Sequence, residues 1–353
     1  MMQNIPDKFV EFVKRNPEVS GTSLFNKGLA PSPRTARRWK SSILESSGRT
    51  IKYKNFREIE SPEEIYTFEE LLDRADEHAR YFNTLDPILT HEEITFQTDK
   101  PVGILFPSCA HLGGRYTYYK QVRALMDQVL DTPNLFWGPL GDDIEGFRPD
   151  FFDKRASMEM IYTLPEQWQL LTGMLDRLAA KQKLLWGVAS QHGGDWDSRK
   201  TGTNPVKRIY LEHDVPFFDG QAYVKLNVGS QTYQIAMAHE FPGSSIYNKM
   251  HPHTRALLFN FPMADVIVQG DKHTYGFAED THYVWEVEAG NRPSPFVWKV
   301  QVGTAKTGPD PYTIKNWSVG VFEWPILVFD PKNHQVYVTR NINHARNWLL
   351  NGL

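Results

Sequence analysis

Cysteine is almost missing from this chain. Cys109 stands alone among 353 residues, which excludes an intramolecular disulfide framework and any zinc cluster built from cysteine only. No stretch approaches the roughly 18 consecutive apolar residues of a membrane span. Residues 1–10 lack the basic-then-apolar order of a secretory leader. These absences point to a soluble chain in a reducing cytoplasm (the host cytoplasm if the chain is viral), with no membrane partner. Aromatics are plentiful, with 10 Trp, 15 Tyr and 21 Phe, so most of the chain must fold to bury them. Hydrophobic residues at 41% and charged residues at 23% are ordinary for a globular protein. The length allows two domains, or one large domain with an appendage.

The net charge of −3 is unevenly spread. Residues 1–54 carry eleven Lys/Arg and four Asp/Glu, a net of +7, so the remainder nets −10. A basic segment on an acidic body suits a polyanionic partner, although a solvated basic face has the same composition. Ile5, Phe9, Phe12 and Val13 recur at helical spacing, and Asn16-Pro17 breaks the run. Residues 22–25 suggest a short second helix ending near Gly28. Ser32-Pro33 then supplies an N-cap and a first-turn proline for a third helix, Arg34-Thr35-Ala36-Arg37-Arg38-Trp39-Lys40, closed by Ile43 and Leu44. This pattern resembles a helix-turn-helix segment, whose last helix enters the major groove. Arg34, Arg37, Arg38 and Lys40 are the expected nucleic-acid contacts, with Trp39 in the core. A basic three-helix appendage that binds protein is the competing reading. Residues 1–54 are therefore read as a basic helix-turn-helix-like domain. Residues 55–93 are read as a linker plus an acidic amphipathic helix starting at Pro62. Residues 94–353 are read as the main domain, with its first strand near Ile94.

In the main domain the pattern becomes strand, loop, helix. Val102-Gly103-Ile104-Leu105-Phe106 is a continuous apolar run, as a buried strand should be, and it delivers Cys109-Ala110-His111. Helices are expected over 116–131 and 165–181. The runs 135–140, 184–189, 233–238 and 264–269 end in Gly141-Asp142-Asp143-Ile144-Glu145, Ser190-Gln191-His192-Gly193, His239 and Gly270-Asp271-Lys272-His273. Singly, each polar tip is weak, because a lone histidine after a strand is most often a loop or core residue. Five tips brought to one edge of one sheet would bury many polar groups unpaired at a cost of several kcal/mol, and a metal centre relieves that cost. Their N, O and S donors suit zinc, manganese or iron.

The order and spacing of these blocks resemble the calcineurin-like metallophosphoesterase superfamily over residues 95–335. That family's blocks run Asp-x-His, Gly-Asp-x-x-(Asp/Glu), Gly-Asn-His-(Asp/Glu), an isolated His and Gly-His-x-His. Trp324-Pro325-Ile326-Leu327-Val328-Phe329-Asp330 resembles the closing strand of phage-type members. The resemblance implies an α/β fold, a four-layer α/β/β/α sandwich here carrying the small all-α appendage. It implies two divalent ions, manganese or zinc, with iron or magnesium as further candidates. The first would take Cys109, His111, Asp142 and His273, and the second Asp142, Gln191, His239 and Asp271. Asp142 would bridge them, His192 would serve as general acid, and Arg115 or Arg255 would steady a phosphate oxygen. The implied activity is phosphoester hydrolysis by a metal-activated hydroxide. The basic segment at residues 1–54 points to a phosphodiester in nucleic acid or nucleotide as the substrate, because the metal blocks serve monoesters and diesters alike. A degenerate fold kept as a DNA-binding adaptor and a protein phosphatase are the alternatives.

Three ligand positions depart from the family pattern: Cys109 for Asp, Gln191 for Asn and Asp271 for His. Cys109 biases the first position toward zinc or iron, while Asp271 favours harder ions. Cys109 also reads as a small buried hydrophobe. His251-Pro252-His253 reads as loop residues near the substrate, and His213-Asp214 as surface. Residues 303–308 lack the order of a P-loop, so nucleotide binding is not expected there.

Overall fold

The computed structural model describes residues 5–17, 19–46, 67–85, 88–146, 160–245, 247–281, 296–306, 308 and 320–352. The chain divides into two compact units, Met1–Tyr81 and Phe82–Leu353.

In the first unit three helices enclose a small core. They are α1 (Asp7–Arg15), α2 (Gly21–Asn26) and α3 (Pro33–Ser46). Phe9, Val13, Leu24, Ala36, Ile43 and Leu44 are buried together. The Ser32 hydroxyl accepts from the Thr35 N–H at 3.0 Å, so Ser32-Pro33 does open α3. Trp39 packs edge-on against Phe9, which confirms it as core. Helix α4 (Phe68–Leu85) starts later than the expected Pro62. Thr67 and Glu70 form a reciprocal cap there, with Thr67 N–H to Glu70 Oε2 at 2.7 Å and Glu70 N–H to Thr67 Oγ1 at 3.3 Å. Residues 62–66 lie outside the described residues.

The second unit is a mixed α/β structure with two sheets. Strands β1 (Leu89–Phe96), β5 (Phe217–Val228), β6 (Gln231–Ala238), β7 (Val266–Gln269), β9 (Phe296–Gln301) and β8 (Gly276–Thr281) lie in that order, with β4 (Gly187–Val188) also paired to β5. The second sheet runs β11 (Val336–Thr339), β10 (Ile326–Phe329), β2 (Val102–Leu105), β3 (Leu135–Trp137). The first strand thus begins at Leu89, ahead of the expected Ile94. The polar-tipped strands are divided between the sheets, with β2 and β3 in one and β4, β6 and β7 in the other, so the expectation of a single sheet is corrected. Strand β2 of one sheet and strand β7 of the other are both buried along their whole length, and a continuous apolar run looks the same in either.

Alternation along β6 and β7 shows how the layers stack. Ile235, Met237, Val266 and Val268 join the core that also holds Val102, Ile104 and Ile326 of the smaller sheet. Ala236, Ala238 and Ile267 point the other way, onto Ala256 and Leu257 of α9 (His251–Phe259). On the smaller sheet, Gly103 leaves room for Leu349 of α10 (Ile342–Asn351), whose Cδ1 would sit 3.0 Å from an added Cβ. Helix, sheet, sheet and helix follow one another, as the resemblance implies. Helices α5 (Tyr119–Asp131) and α6 (Leu164–Ala180) begin within a few residues of their expected starts. The Thr163 N–H donates to Glu166 Oε2 at 2.7 Å, capping α6. Two short helices, α7 (Trp196–Thr201) and α8 (Pro205–Leu211), follow the third block. His251-Pro252-His253 is the first turn of α9 and not a loop. Proline at the second helical position suits that turn. Among the described residues no helix is long and apolar enough to cross a membrane.

Candidate metal centre

Backbone hydrogen bonds join the first two blocks before any side chain is considered. Cys109 N–H donates to Gly141 O at 3.0 Å, His111 N–H to Asp142 O at 3.0 Å and Leu112 N–H to Asp143 O at 2.8 Å. Gly270 N–H donates to His239 O at 3.0 Å, tying the last two blocks in the same way. The tips turn in an uncommon conformation. Cys109 (φ 51°), His111 (φ 47°), Asp142 (φ 53°), Asp271 (φ 61°) and His273 (φ 54°) all adopt left-handed backbone. Each such residue costs on the order of 1–3 kcal/mol, and strain of this kind concentrates at functional sites. Ser190 helps to hold Asp142 in place, since its hydroxyl oxygen accepts from the Asp142 N–H at 2.7 Å and the Gly193 N–H at 3.0 Å.

The side chains then converge. Ligand-capable atoms of Cys109, His111 and His273 lie within 4.8 Å of one another. So do those of Cys109, Asp142 and His239, and those of His111, Asp142 and His192. His111 Nε2 is 3.2 Å from His273 Nε2. His239 Nε2 is 3.2 Å from Asp142 Oδ2 and 3.8 Å from Asp271 Oδ1. His239 Nδ1 bonds the Leu140 carbonyl at 2.7 Å, which orients Nε2 toward the cluster. That Nε2 is buried without a hydrogen-bond partner, as is His273 Nδ1. Buried ring nitrogens of this kind are costly unless something else satisfies them. The residues present therefore fit a metal centre.

Electrostatics follow from burial and crowding. Burial would raise the Asp142 carboxyl, but His239, His192 and His111 around it hold it well below its ordinary value. Burial alone would lower His239, yet the Asp142 and Asp271 carboxylates raise it to about 9. His273 is pushed down to about 3 by burial and by the neighbouring His111. Burial, reinforced by the Asp142 charge, drives the Cys109 thiol well above its usual value.

The other expected site residues are placed as follows. His192 sits in a π-helical turn (Gln191–Asp195), with its Nδ1 on the Glu145 carbonyl and its backbone N–H donating to Asp142 Oδ1 at 3.0 Å. Gln191 is half-buried in the same turn and makes no hydrogen bond to the cluster among the described residues. Asp271 leans toward His239, but its other oxygen is taken by Lys272 at 2.7 Å. Arg115 is exposed beside Tyr116, and Arg255 is exposed on α9 against Phe259. Arg34, Arg37 and Arg38 are exposed on α3, whereas Lys40 spends its ammonium on the Val19 carbonyl at 2.8 Å. His253 is a core residue bonded to the Val300 carbonyl at 2.9 Å. His213 pairs with Asp176 at 2.8 Å near the surface.

Two residues at the centre have no assigned part in the sequence reading. Glu145 is buried with Oε2 3.2 Å from His111 Nδ1 and Oε1 2.8 Å from Lys306 Nζ. Lys306 belongs to the glycine-flanked stretch that lacks the order of a P-loop. The position of Glu145 at the end of the second block is its signal; nothing in the sequence marks Lys306.

No protein-family model and no curated protein matches the chain. Solved structures to which it is similar include the calcineurin-like phosphoesterase YfkN from Bacillus subtilis, at 10% identity and TM-score 0.33, covering 70% of this chain and 92% of that one. A metallophosphoesterase from Sphaerobacter thermophilus is matched at 17% identity and TM-score 0.31, covering 68% and 88%. Vps29 from Chaetomium thermophilum is matched at 13% identity and TM-score 0.32, covering 67% and 93%.

Proposed function

We propose that the chain is a metal-dependent phosphoesterase that hydrolyses a phosphodiester of a nucleic acid or nucleotide. The observation that carries this reading is the convergence of Cys109, His111, Asp142, His239 and His273 from four separate blocks, with buried nitrogen atoms left unpartnered among them. Cys109, His111 and His273 would hold one divalent ion, and Asp142 and His239 a second. Bound there, such ions neutralise phosphate oxygens and acidify water. The chain's own residues do the rest. Asp142, fixed by Ser190 and His192, keeps its carboxylate between the histidines. His192 commits Nδ1 to the Glu145 carbonyl, so proton delivery to a leaving oxygen falls to Nε2. Exposed Arg34 and Arg38 on a basic three-helix unit support a polyanionic substrate, because they offer phosphate contacts from one helix.

The test is metal analysis combined with turnover of bis-p-nitrophenyl phosphate in zinc or manganese. His192→Ala should lose about 10²–10⁴-fold in kcat with its metal content unchanged. A chain that holds no metal and turns over no faster than His192→Ala is not an esterase. If that inert chain still bound DNA, it would be a degenerate scaffold. DNA affinity of the full chain should fall steeply with salt, and Arg34→Ala with Arg38→Ala should lower the slope by roughly one for each phosphate no longer neutralised. A flat salt response removes nucleic acid from the reading, and phosphopeptide turnover in its place would make the chain a protein phosphatase.

A further inference from the structure

Cys109 belongs to two of the three ligand groups, as His111 and Asp142 also do, and is the sulfur donor among them. Its sulfur lies within 4.8 Å of the ligand atoms of His111 and His273, and equally within 4.8 Å of those of Asp142 and His239. The side chain is fully buried. The backbone around it is pinned: Cys109 N–H donates to Gly141 O, and the Cys109 carbonyl accepts from Ala305 N–H at 3.1 Å and Thr304 Oγ1 at 2.9 Å. The sulfur itself meets Ser108 Oγ at 3.4 Å and a backbone hydrogen bond from Asp271. A residue serving merely as a small apolar filler gains nothing from a left-handed backbone, which costs on the order of 1–3 kcal/mol. A second observation also points to a ligand. His239 is 4% exposed, and its Nε2, which has no hydrogen-bond partner and lies 3.2 Å from Asp142 Oδ2, is directed at the same space.

Resting on the metal-centre reading above, we propose that the Cys109 thiolate is shared between the two metal positions and makes the centre selective for zinc, cobalt or cadmium over magnesium and manganese. Each position then offers sulfur with two histidines, or sulfur with one histidine and one carboxylate. Thiolate with imidazole suits thiophilic borderline ions, whereas magnesium and manganese prefer sets made of oxygen. Coordination replaces the thiol proton, which leaves to solvent, so no oxidant or reductant is involved.

Zinc-saturated full-length protein tests this, with metal counted by emission spectroscopy and zinc-edge X-ray absorption read for sulfur. A shared thiolate gives two zinc ions and an average of about one sulfur per zinc at ~2.3 Å. An average of about half a sulfur per zinc means a terminal ligand at one position and overturns the sharing. Zinc bound through nitrogen and oxygen alone overturns the inference while leaving the metal centre intact. No zinc at all overturns both. Cys109→Ser should abolish the sulfur signal and weaken zinc binding by at least ~10-fold, since even outer partners of metal ligands are worth ~10–100-fold. Cys109→Asp guards against a folding defect. It should keep a native circular dichroism spectrum and reverse the preference toward manganese. In wild type, cobalt should give a near-ultraviolet thiolate-to-metal band that Cys109→Asp lacks, and a wild-type cobalt complex without that band refutes sulfur ligation.

Discussion

Glu145 and Lys306 form a buried ion pair at the edge of the centre, with Lys306 Nζ 2.8 Å from Oε1, and both side chains are under one-tenth exposed. The second carboxylate oxygen faces His111 Nδ1 at 3.2 Å. Burial would push the Glu145 carboxyl up, but the neighbouring His111 and Lys306 hold it down at about 2. Lys306→Met would strand this carboxylate away from water. Breaking one side of a buried pair costs about 3–5 kcal/mol, and Lys306→Met should show that loss in urea unfolding. Glu145→Gln added to Lys306→Met should recover most of it. A single variant as stable as wild type would mean that the pair contributes nothing.

Ser190 stands where the resemblance has a different residue, and its hydroxyl has taken on backbone work. It accepts the N–H groups of Asp142 and Gly193 together. Ser190→Ala leaves two buried donors unsatisfied, at about 1–3 kcal/mol each. The thermal midpoint should fall, and zinc affinity should fall with it because the left-handed Asp142 is no longer held. A Ser190→Ala protein with normal melting and normal zinc titration would show that the contact is incidental.

How far the centre can be read from the sequence depends on where each residue's partners lie. Cys109, His111, Asp142, His239 and His273 each follow an apolar run, so local pattern alone places them at strand ends. The pattern suggests one sheet for all of them, and the structure divides the strands between two, because alternation reveals which face a residue takes but not which sheet holds its strand. Glu145 stands in a recognisable block without a role, since its partner Lys306 is 161 residues away. Ser190 and Asp142 are 48 residues apart. Spacing carries no signal for pairings of that kind. Composition makes Lys40 a phosphate contact, and its bond to Val19 depends on the return of the chain after α1. The start of α4 at Phe68 is legible in Thr67-x-x-Glu70, a local signal that the expectation of a start at Pro62 does not use.

His253 makes the fold sensitive to acid at a point away from the centre. Burial, with Lys299 nearby, lowers it to about 4, from an ordinary value of 6.5. The folded state therefore holds it neutral while the unfolded chain protonates it first. Its contribution is fully present above pH 6.5 and is lost as pH falls toward 4. Urea unfolding at about pH 7 and about pH 5 should show wild type losing more stability than His253→Gln across this interval. Equal losses would show that the buried imidazole does not titrate with folding.

Gly270 packs tightly against Ser108 of the first block. A Cβ there would sit 1.8 Å from Ser108 Oγ and 2.8 Å from Ser108 Cβ, next to Cys109. Real Cβ atoms do not come so near, and overpacking of this kind costs about 1–3 kcal/mol or more. Gly270→Ala must therefore move the Ser108–Cys109 turn or the Gly270–His273 turn, and either movement separates Cys109 from His273. The expected result is a lower melting temperature together with weakened zinc binding. Adding Ser108→Ala removes the hydroxyl but keeps the 2.8 Å clash with Cβ, so recovery should be partial. Adding Ser108→Gly removes both atoms and should restore zinc binding most fully. That order, with Gly rescuing better than Ala, is what contact at these two atoms requires. Equal rescue by the two second-site changes, or none by either, would place the defect somewhere other than this contact.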